Sequence, residues 1–323
     1  MYNVTAIDRT IIIDAVAKLR IGNLVAFPTE TVYGLGADAT NESAVSRIYE
    51  VKGRPTNHPL IVHISSIQYL EKWATGIPEY AAKLAKTFWP GPMTLILPRT
   101  ELAKDFITGG QSYVGIRVPA HKVAIALLEE FEQQGGYGLA APSANRFGAV
   151  SPTTANAVRS ELGKHLTKED LILDGGQSFV GIESTIIDCT KNAPSILRPG
   201  ATTKEMIEDS LGISISLKTS NTENNQIKAA GLLESHYAPK AKLFLNGSPS
   251  AGDGLIALDS FSTPDGVIRL AAPKSNEEFA QILYQAFRSA DAKGLRRVFV
   301  KPPTGDGIAV AINDRLAKAS FDL

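Results

Sequence analysis

The chain has 323 residues, 44% of them apolar, with 33 basic and 33 acidic side chains and a formal net charge of zero. That length accommodates two domains and a sizeable core, while the charge balance gives no sign of an extended nucleic-acid or membrane surface. One cysteine, Cys189, leaves no internal disulfide and no cysteine-based zinc pattern.

In chain order, Ile11, Ile12, Ala15, Val16 and Leu19 repeat at helical spacing, and Gly22 stops that helix. LVAF at 24–27 reads as a short buried strand ended by Pro28. Asn41 caps a second helix whose apolar side is Ala44, Val45, Ile48 and Val51. Gly53 and Pro55 end it, which puts Lys52 and Arg54 at a helix exit. Strands are expected at 60–64, 93–97, 114–118, 138–141, 170–173, 184–188 and 195–198, with helices over 66–74, 78–88, 121–132 and 154–162. The alternation is too irregular for a doubly wound repeat, so the expected fold is α/β, a twisted mixed open sheet with flanking helices.

After residue 217 the polar run KTSNTENNQIKAAG reads as a linker. Strands at 242–245, 255–258, 267–270 and 297–301, with helices over 276–293 and 306–318, then make a smaller α/β, Rossmann-like second domain. The expected division is 1–210, a linker or lid over 211–240, and 241–323. The N-terminus lacks a signal-peptide layout and no run of about 18 apolar residues is present, so a soluble cytoplasmic protein is expected.

The chemistry begins with absences. There is no Walker A motif, no third glycine after Gly34-Leu35-Gly36, no HExxH and no G-x-S-x-G. The stretch from Pro28 to His63 instead gathers hydroxyls, glycines and the cations Lys52 and Arg54, with His58 and His63, equipment for an anionic substrate. Lys52 and Arg54 would also serve as a solvated helix end that offsets the helix dipole. Ser143-Ala144-Asn145 follows a buried strand, where small polar groups suit ligand recognition or make an ordinary turn. Arg117 lies among apolar strand residues and needs an anionic partner or a cleft. Ser184 and Arg198 raise the same choice. His63 alternates with apolar residues, as a core histidine does. His236, in ESHYAP, sits just past the linker, where it is either a lid element or a packing turn. Cys189, inside STIIDC, reads as a buried structural thiol.

PTETVYGLG (28–36), VKGRPTNHPLIVHI (51–64), WPGPMTLIL (89–97), VGIRVPAH (114–121), APSAN (141–145), SPTTA (151–155), ESTIID (183–188) and LRPG (197–200) occur in this order. With them the chain resembles the Sua5/YrdC/YwlC family of L-threonylcarbamoyladenylate synthases. GLLESHYAPKAKLFL (231–245) and the tail resemble the Sua5 branch. The resemblance implies that L-threonine, bicarbonate or CO2 and ATP give threonylcarbamoyl-AMP and pyrophosphate, for the threonylcarbamoyl group of tRNA adenosine 37.

The resemblance also implies roles. Thr31, His63, Arg117, Ser184 and the backbone of Ala141 match the threonine-binding set, with Arg117 on the carboxylate. Lys52, Arg54, Ser143, Asn145, Ser151 and Arg198 match nucleotide-facing positions, with Lys52 and Arg54 as the catalytic pair. His58 and His236 would approach the phosphates or cover the site. Tyr113 falls on the nucleotide side and departs from the family pattern, which often has Thr or Ser there. Mg2+ is expected to arrive with ATP rather than in a protein cage, and no metal-ligating residue is assigned. Downstream tRNA-modifying enzymes are the implied partners, with weak or no direct tRNA binding. Two alternatives stand beside this reading. One is an RNA-binding module, against which the charge balance argues. The other is a carbamoyl-transfer enzyme like the hydrogenase-maturation proteins, whose acylphosphatase-like region and zinc-finger cysteines are missing here.

Overall fold

A computed structural model describes residues 8–217, 227–228 and 237–320. Ten strands form the first sheet: β1 (Val25–Phe27), β2 (Gly34–Asp38), β3 (Ile61–His63), β4 (Met93–Pro98), β5 (Tyr113–Arg117), β6 (Leu139–Ala140), β7 (Leu171–Ile172), β8 (Thr185–Asp188), β9 (Ser195–Arg198) and β10 (Ser216–Leu217). Their spatial order is β10-β9-β8-β4-β5-β3-β6-β2-β1-β7. Parallel pairs (β3 with β5, β4 with β8) alternate with antiparallel ones (β4 with β5, β3 with β6), so the sheet is mixed as expected.

The core follows from the two-residue period of a strand. Leu24 and Ala26 enter the main core with Leu35, Val62, Leu95 and Ile116, beneath the helix Glu42–Lys52. Val25 and Phe27, one residue out of phase, pack on the other face with Val16 and Leu19 of the helix Arg9–Arg20 and Leu127 and Phe131 of the helix Lys122–Gln133. Asn41 accepts from the Ala44 N–H as the expected N-cap, and Gly53 closes that helix at φ 61°, a conformation that favours glycine.

Four strands, β11 (Lys242–Phe244), β12 (Gly254–Ile256), β13 (Ile268–Ala271) and β14 (Arg297–Val300), form the second sheet in the order β11-β14-β12-β13. Every pairing in it is parallel, which makes the region Rossmann-like. Its helices Asn276–Ala292 and Ile308–Ala319 bring Phe279, Leu283, Tyr284, Phe287, Ile312 and Leu316 into one apolar cluster with Val32, Val150 and Ile182 of the first region. The seam between the two sheets is therefore a shared hydrophobic core.

Two expectations need correction. The stretch 66–74 is not one helix: a 3-10 turn at Ile67–Tyr69 precedes a single α-turn at Leu70–Trp73. Gly34–Asp38, where no strand is expected, is the fully buried strand β2. The Phe27 ring lies so close to Gly36 that a Cβ there would sit 2.8 Å from it. Glycine fills a strand position that sterics deny to any side chain.

Candidate active site

The site is built on the sheet face that the main core leaves open. His63 on β3 pairs in register with Arg117 on β5, and Ile61 pairs with Gly115. Alternation therefore turns Ile61, His63, Gly115 and Arg117 to one side, while Val62 and Ile116 enter the core. The cleft on that side is lined by Thr31, Arg54, His63, Arg117, Ala141, Ser143, Ser184 and Arg198, with Thr29, Tyr33, Glu183 and Tyr237. Eight of the residues chosen from sequence thus share one cavity.

One end centres on Arg117, which is 4% exposed. Its Nη2 pairs with Glu30 Oε1 at 2.6 Å, Nη1 donates to Thr31 Oγ1 at 2.9 Å and Nε to the Gly91 carbonyl at 3.3 Å. Glu30 Oε2 accepts from the Ala120 N–H at 2.9 Å. Thr29 Oγ1 donates to the Val32 carbonyl at 2.6 Å, so in the 2.8 Å contact between Thr29 and Thr31 it is Thr31 that donates. The proton chain runs Arg117, Thr31, Thr29, Val32, and leaves no rotational freedom in either hydroxyl. Nη2 is buried against Glu30, and Nη1 keeps one N–H beyond the one given to Thr31.

His63 is buried, with Phe27 edge-on at 6.1 Å. Burial and then the Arg117 charge push its pKa down to about 3. The ring is neutral at physiological pH, and its Nδ1 lies 3.3 Å from the Ile61 carbonyl. A proton on Nδ1 satisfies that oxygen and leaves Nε2 as an acceptor.

The other end carries two more guanidiniums. Arg54 donates through Nε to the His58 carbonyl at 3.3 Å and through Nη2 to the Pro59 carbonyl at 2.9 Å, and lies over the Phe147 ring at 5.6 Å. Burial, with repulsion from Arg198 adding to it, lowers its pKa to about 10. Arg198 donates through Nε and Nη2 to the Ser184 carbonyl at 3.0 and 2.9 Å, and through Nη2 to Ser184 Oγ at 3.1 Å. Ser184 Oγ also meets Thr94 Oγ1 at 2.8 Å. Two mutually repelling cations in one cleft are the arrangement an anion with several charges relieves.

Several expected residues stand elsewhere. Lys52 is 2% exposed and does not line the cleft. Its Nζ donates to the Ser143 and Asn145 carbonyls, each at 2.5 Å, so it holds the turn from behind. Burial first, then Arg54, lowers its pKa well below the ordinary lysine value. Asn145 is bonded to the Arg146 and Ala149 carbonyls at 2.8 Å each, and Ser151 Oγ to Glu183 at 2.6 Å, both behind the wall. His58 packs edge-on against Phe147 at 5.4 Å, outside the lining. Tyr113 lines a neighbouring depression with Ile96, Ile186 and Ile227. His236 lies outside the described residues.

Glu30, Glu183 and Arg315 were not anticipated. Both acids sit inside the motifs PTET and ESTIID, among hydroxyl residues that already account for the polar character of those stretches. Arg315, in NDRLAKA, has the sequence appearance of a solvated helix cation, yet it is completely buried. Tyr237, next to His236, has φ 66°. A non-glycine residue in that region stores strain on the order of 1–3 kcal/mol. Stacking on Tyr284 at 5.8 Å and beneath Arg315 at 5.3 Å holds it there.

Residues 17–200 match the Sua5/YciO/YrdC family profile, described as telomere recombination. Residues 202–320 match the profile described as the threonylcarbamoyl-AMP synthase C-terminal domain. The chain is 41% identical to a threonylcarbamoyl-AMP synthase of Pyrococcus abyssi, over 95% of this chain and 93% of that one. It is 39% identical to one of Bacillus subtilis, over 96% and 92%. A crystal structure of P. abyssi Sua5 complexed with L-threonine superposes with a TM-score of 0.88 at 39% identity, covering 98% of this chain and 96% of that one.

Proposed function

The chain belongs to the Sua5/YrdC family, and on that premise we propose that it is a threonylcarbamoyl-AMP synthase joining L-threonine, bicarbonate or CO2, and ATP. The observation that carries the reading is one cleft with two unlike cationic ends. Arg117, buffered by Glu30 and flanked by Thr31 and His63, suits a small zwitterion, and Arg54 with Arg198 suits a polyanion.

In this reading the threonine carboxylate lies against the Arg117 guanidinium. His63 Nε2 accepts from the amine or hydroxyl of the substrate, which a neutral imidazole can do and an imidazolium cannot. The amine nitrogen bonds to the carbon of CO2 and loses a proton, giving a carbamate. A carbamate oxygen then bonds to the α-phosphorus of ATP. The bond from that phosphorus to the bridging oxygen breaks, and pyrophosphate leaves with the electron pair. Positioning and charge stabilisation carry such a transfer, so no protein nucleophile is required. Lys52 contributes by fixing the Ser143–Asn145 turn, and Ser184 by orienting Arg198.

Mg2+ is assigned to the triphosphate. Glu183, the carboxylate in the cleft wall, has Oε1 bonded to Ser151 and Oε2 to Tyr284 and Arg315, so it is not a fitting ligand, and no step above runs through the metal. The product serves cytoplasmic enzymes that pass the group to tRNA, and this chain need not grip tRNA itself. Among the described residues no helix is long and apolar enough to cross a membrane. The test is product identity. Incubation with ATP, L-threonine and 13C-bicarbonate should give an adenylate that carries one 13C and one threonine by mass spectrometry. An ordinary threonyl-AMP, or no adduct, overturns the reading.

A further inference from the structure

The second region reaches into the cleft wall through one buried cluster. Glu183 Oε2 accepts from Tyr284 Oη at 2.8 Å and from Arg315 Nε at 2.9 Å. Arg315 Nη2 also donates to the Pro199 carbonyl at 3.0 Å and the Glu183 carbonyl at 3.4 Å. One guanidinium thus ties together the residue just before Ser184, which the family resemblance gives to threonine, and the residue just after Arg198, at the anion-holding end. Tyr284 and Arg315 come from the helices Asn276–Ala292 and Ile308–Ala319.

Glu183 is the difficult member. It is an acid in the wall of a cleft that has to admit an anion, beside Arg198. Burial alone would drive its carboxyl to the neutral form, yet the charges of Arg315 and Arg198 and the Ser151 hydroxyl hold it ionised, with a pKa near 2. Its ion pair is made to Arg315, not to Arg198. We propose that Arg315 is a positioning residue for nucleotide binding: it takes up the charge of Glu183, so that this carboxylate neither repels the incoming phosphates nor draws Arg198 off Ser184. This rests on the proposed use of the Arg54–Arg198 end by ATP, and it gives the second region a definite electrostatic task.

The experiment measures ATP and threonine binding by calorimetry, and pyrophosphate release, on the full chain. Arg315→Met should weaken ATP binding and raise its KM about tenfold or more, and weaken threonine binding distinctly less, because Asp314 keeps Lys318 as a partner while the uncompensated Glu183 charge acts on Arg198. Adding Glu183→Gln to that variant should restore most of the ATP affinity, since the offending charge is gone. Arg315→Lys should fall between wild type and Arg315→Met, keeping the charge without the fork. A folded Arg315→Met with unchanged ATP affinity overturns the proposal. So do equal losses for ATP and threonine, which would mark a purely structural role. Should Arg315→Met not fold, Arg315→Gln carries the test: it keeps a donor for Glu183 without the charge and should weaken ATP more than threonine, and unchanged ATP affinity there also overturns it. Absence of threonine-dependent pyrophosphate release in wild type would instead fault the functional reading, with the ATP titrations still deciding the role of Arg315.

Discussion

Lys52→Met separates a residue that touches the substrate from one that holds the wall. The Lys52 Nζ donates to two main-chain oxygens, of Ser143 and Asn145, and the side chain is almost fully enclosed. Methionine keeps most of the stem and its packing but leaves both carbonyls without these donors. Each such hydrogen bond nets about 0.5–1.5 kcal/mol, and a buried carbonyl left without its donor costs about 1–3 kcal/mol. Allowing for packing retained by the Met stem, the expected loss of folding stability is roughly 3 kcal/mol. The pH dependence gives a second, sharper signature. The folded-state pKa of Lys52 lies well below the unfolded value of about 10.4, so between those two values the unfolded chain holds the extra proton. Stability therefore rises with pH across that window and falls as pH drops through the folded pKa. In Lys52→Met this increment is missing. The assay is thermal and urea denaturation of both proteins from pH 6 to pH 10. A variant as stable as wild type, with the same pH profile and only a raised ATP KM, would refute the turn-holding role and return Lys52 to the phosphates.

Other substitutions read the remaining parts. Glu30→Gln removes the charge partner of Arg117 while keeping an acceptor for the Ala120 N–H; breaking a buried pair of this kind costs about 3–5 kcal/mol, visible as a lowered melting temperature, and threonine titration should show weakened binding. His63 is held neutral with a pKa near 3 against about 6.5 unfolded, so its contribution to stability is full above pH 6.5 and declines as pH falls toward 3. Its replacement by Phe should flatten that acid limb in denaturation curves. His63→Gln, which retains a neutral acceptor, should keep more threonine-dependent activity than His63→Phe. A chain ended after residue 217 retains β10 and the main core but loses Tyr237, Tyr284 and Arg315. By circular dichroism it should stay folded while losing most ATP-dependent pyrophosphate release, and full activity would remove the second region from the account.

The sequence made the strand and helix order legible wherever periodicity was strong, as in LVAF, LIVHI and the helix capped by Asn41. It concealed β2, because a strand of Gly34, Leu35, Gly36, Ala37 and Asp38 has no β-branched residue and no alternation; its conformation is imposed by Phe27 and by β1 and β6 on either side. At the site, Thr31, His63 and Ala141 were assigned to the cleft only through the family resemblance, whereas Arg117 was legible since a cation between apolar strand residues requires a partner. Which anion answered it was not legible, because Glu30 lies 87 positions upstream and meets it only in three dimensions. Lys52 and Arg54, two positions apart at a helix exit, point in different directions, one into the turn and one into the cleft, and neighbourhood in sequence does not show that. Arg315 gave no local signal, since its burial is a property of the seam between two regions.

The most direct test of the account is pyrophosphate release from ATP with L-threonine and bicarbonate each present or withheld. Release is expected only when both accompany ATP, with its loss in Arg54→Ala and Arg117→Ala while the fold stays intact. Release that is indifferent to threonine, or none from folded protein supplied with Mg2+, would contradict the assignment of the cleft to adenylate formation.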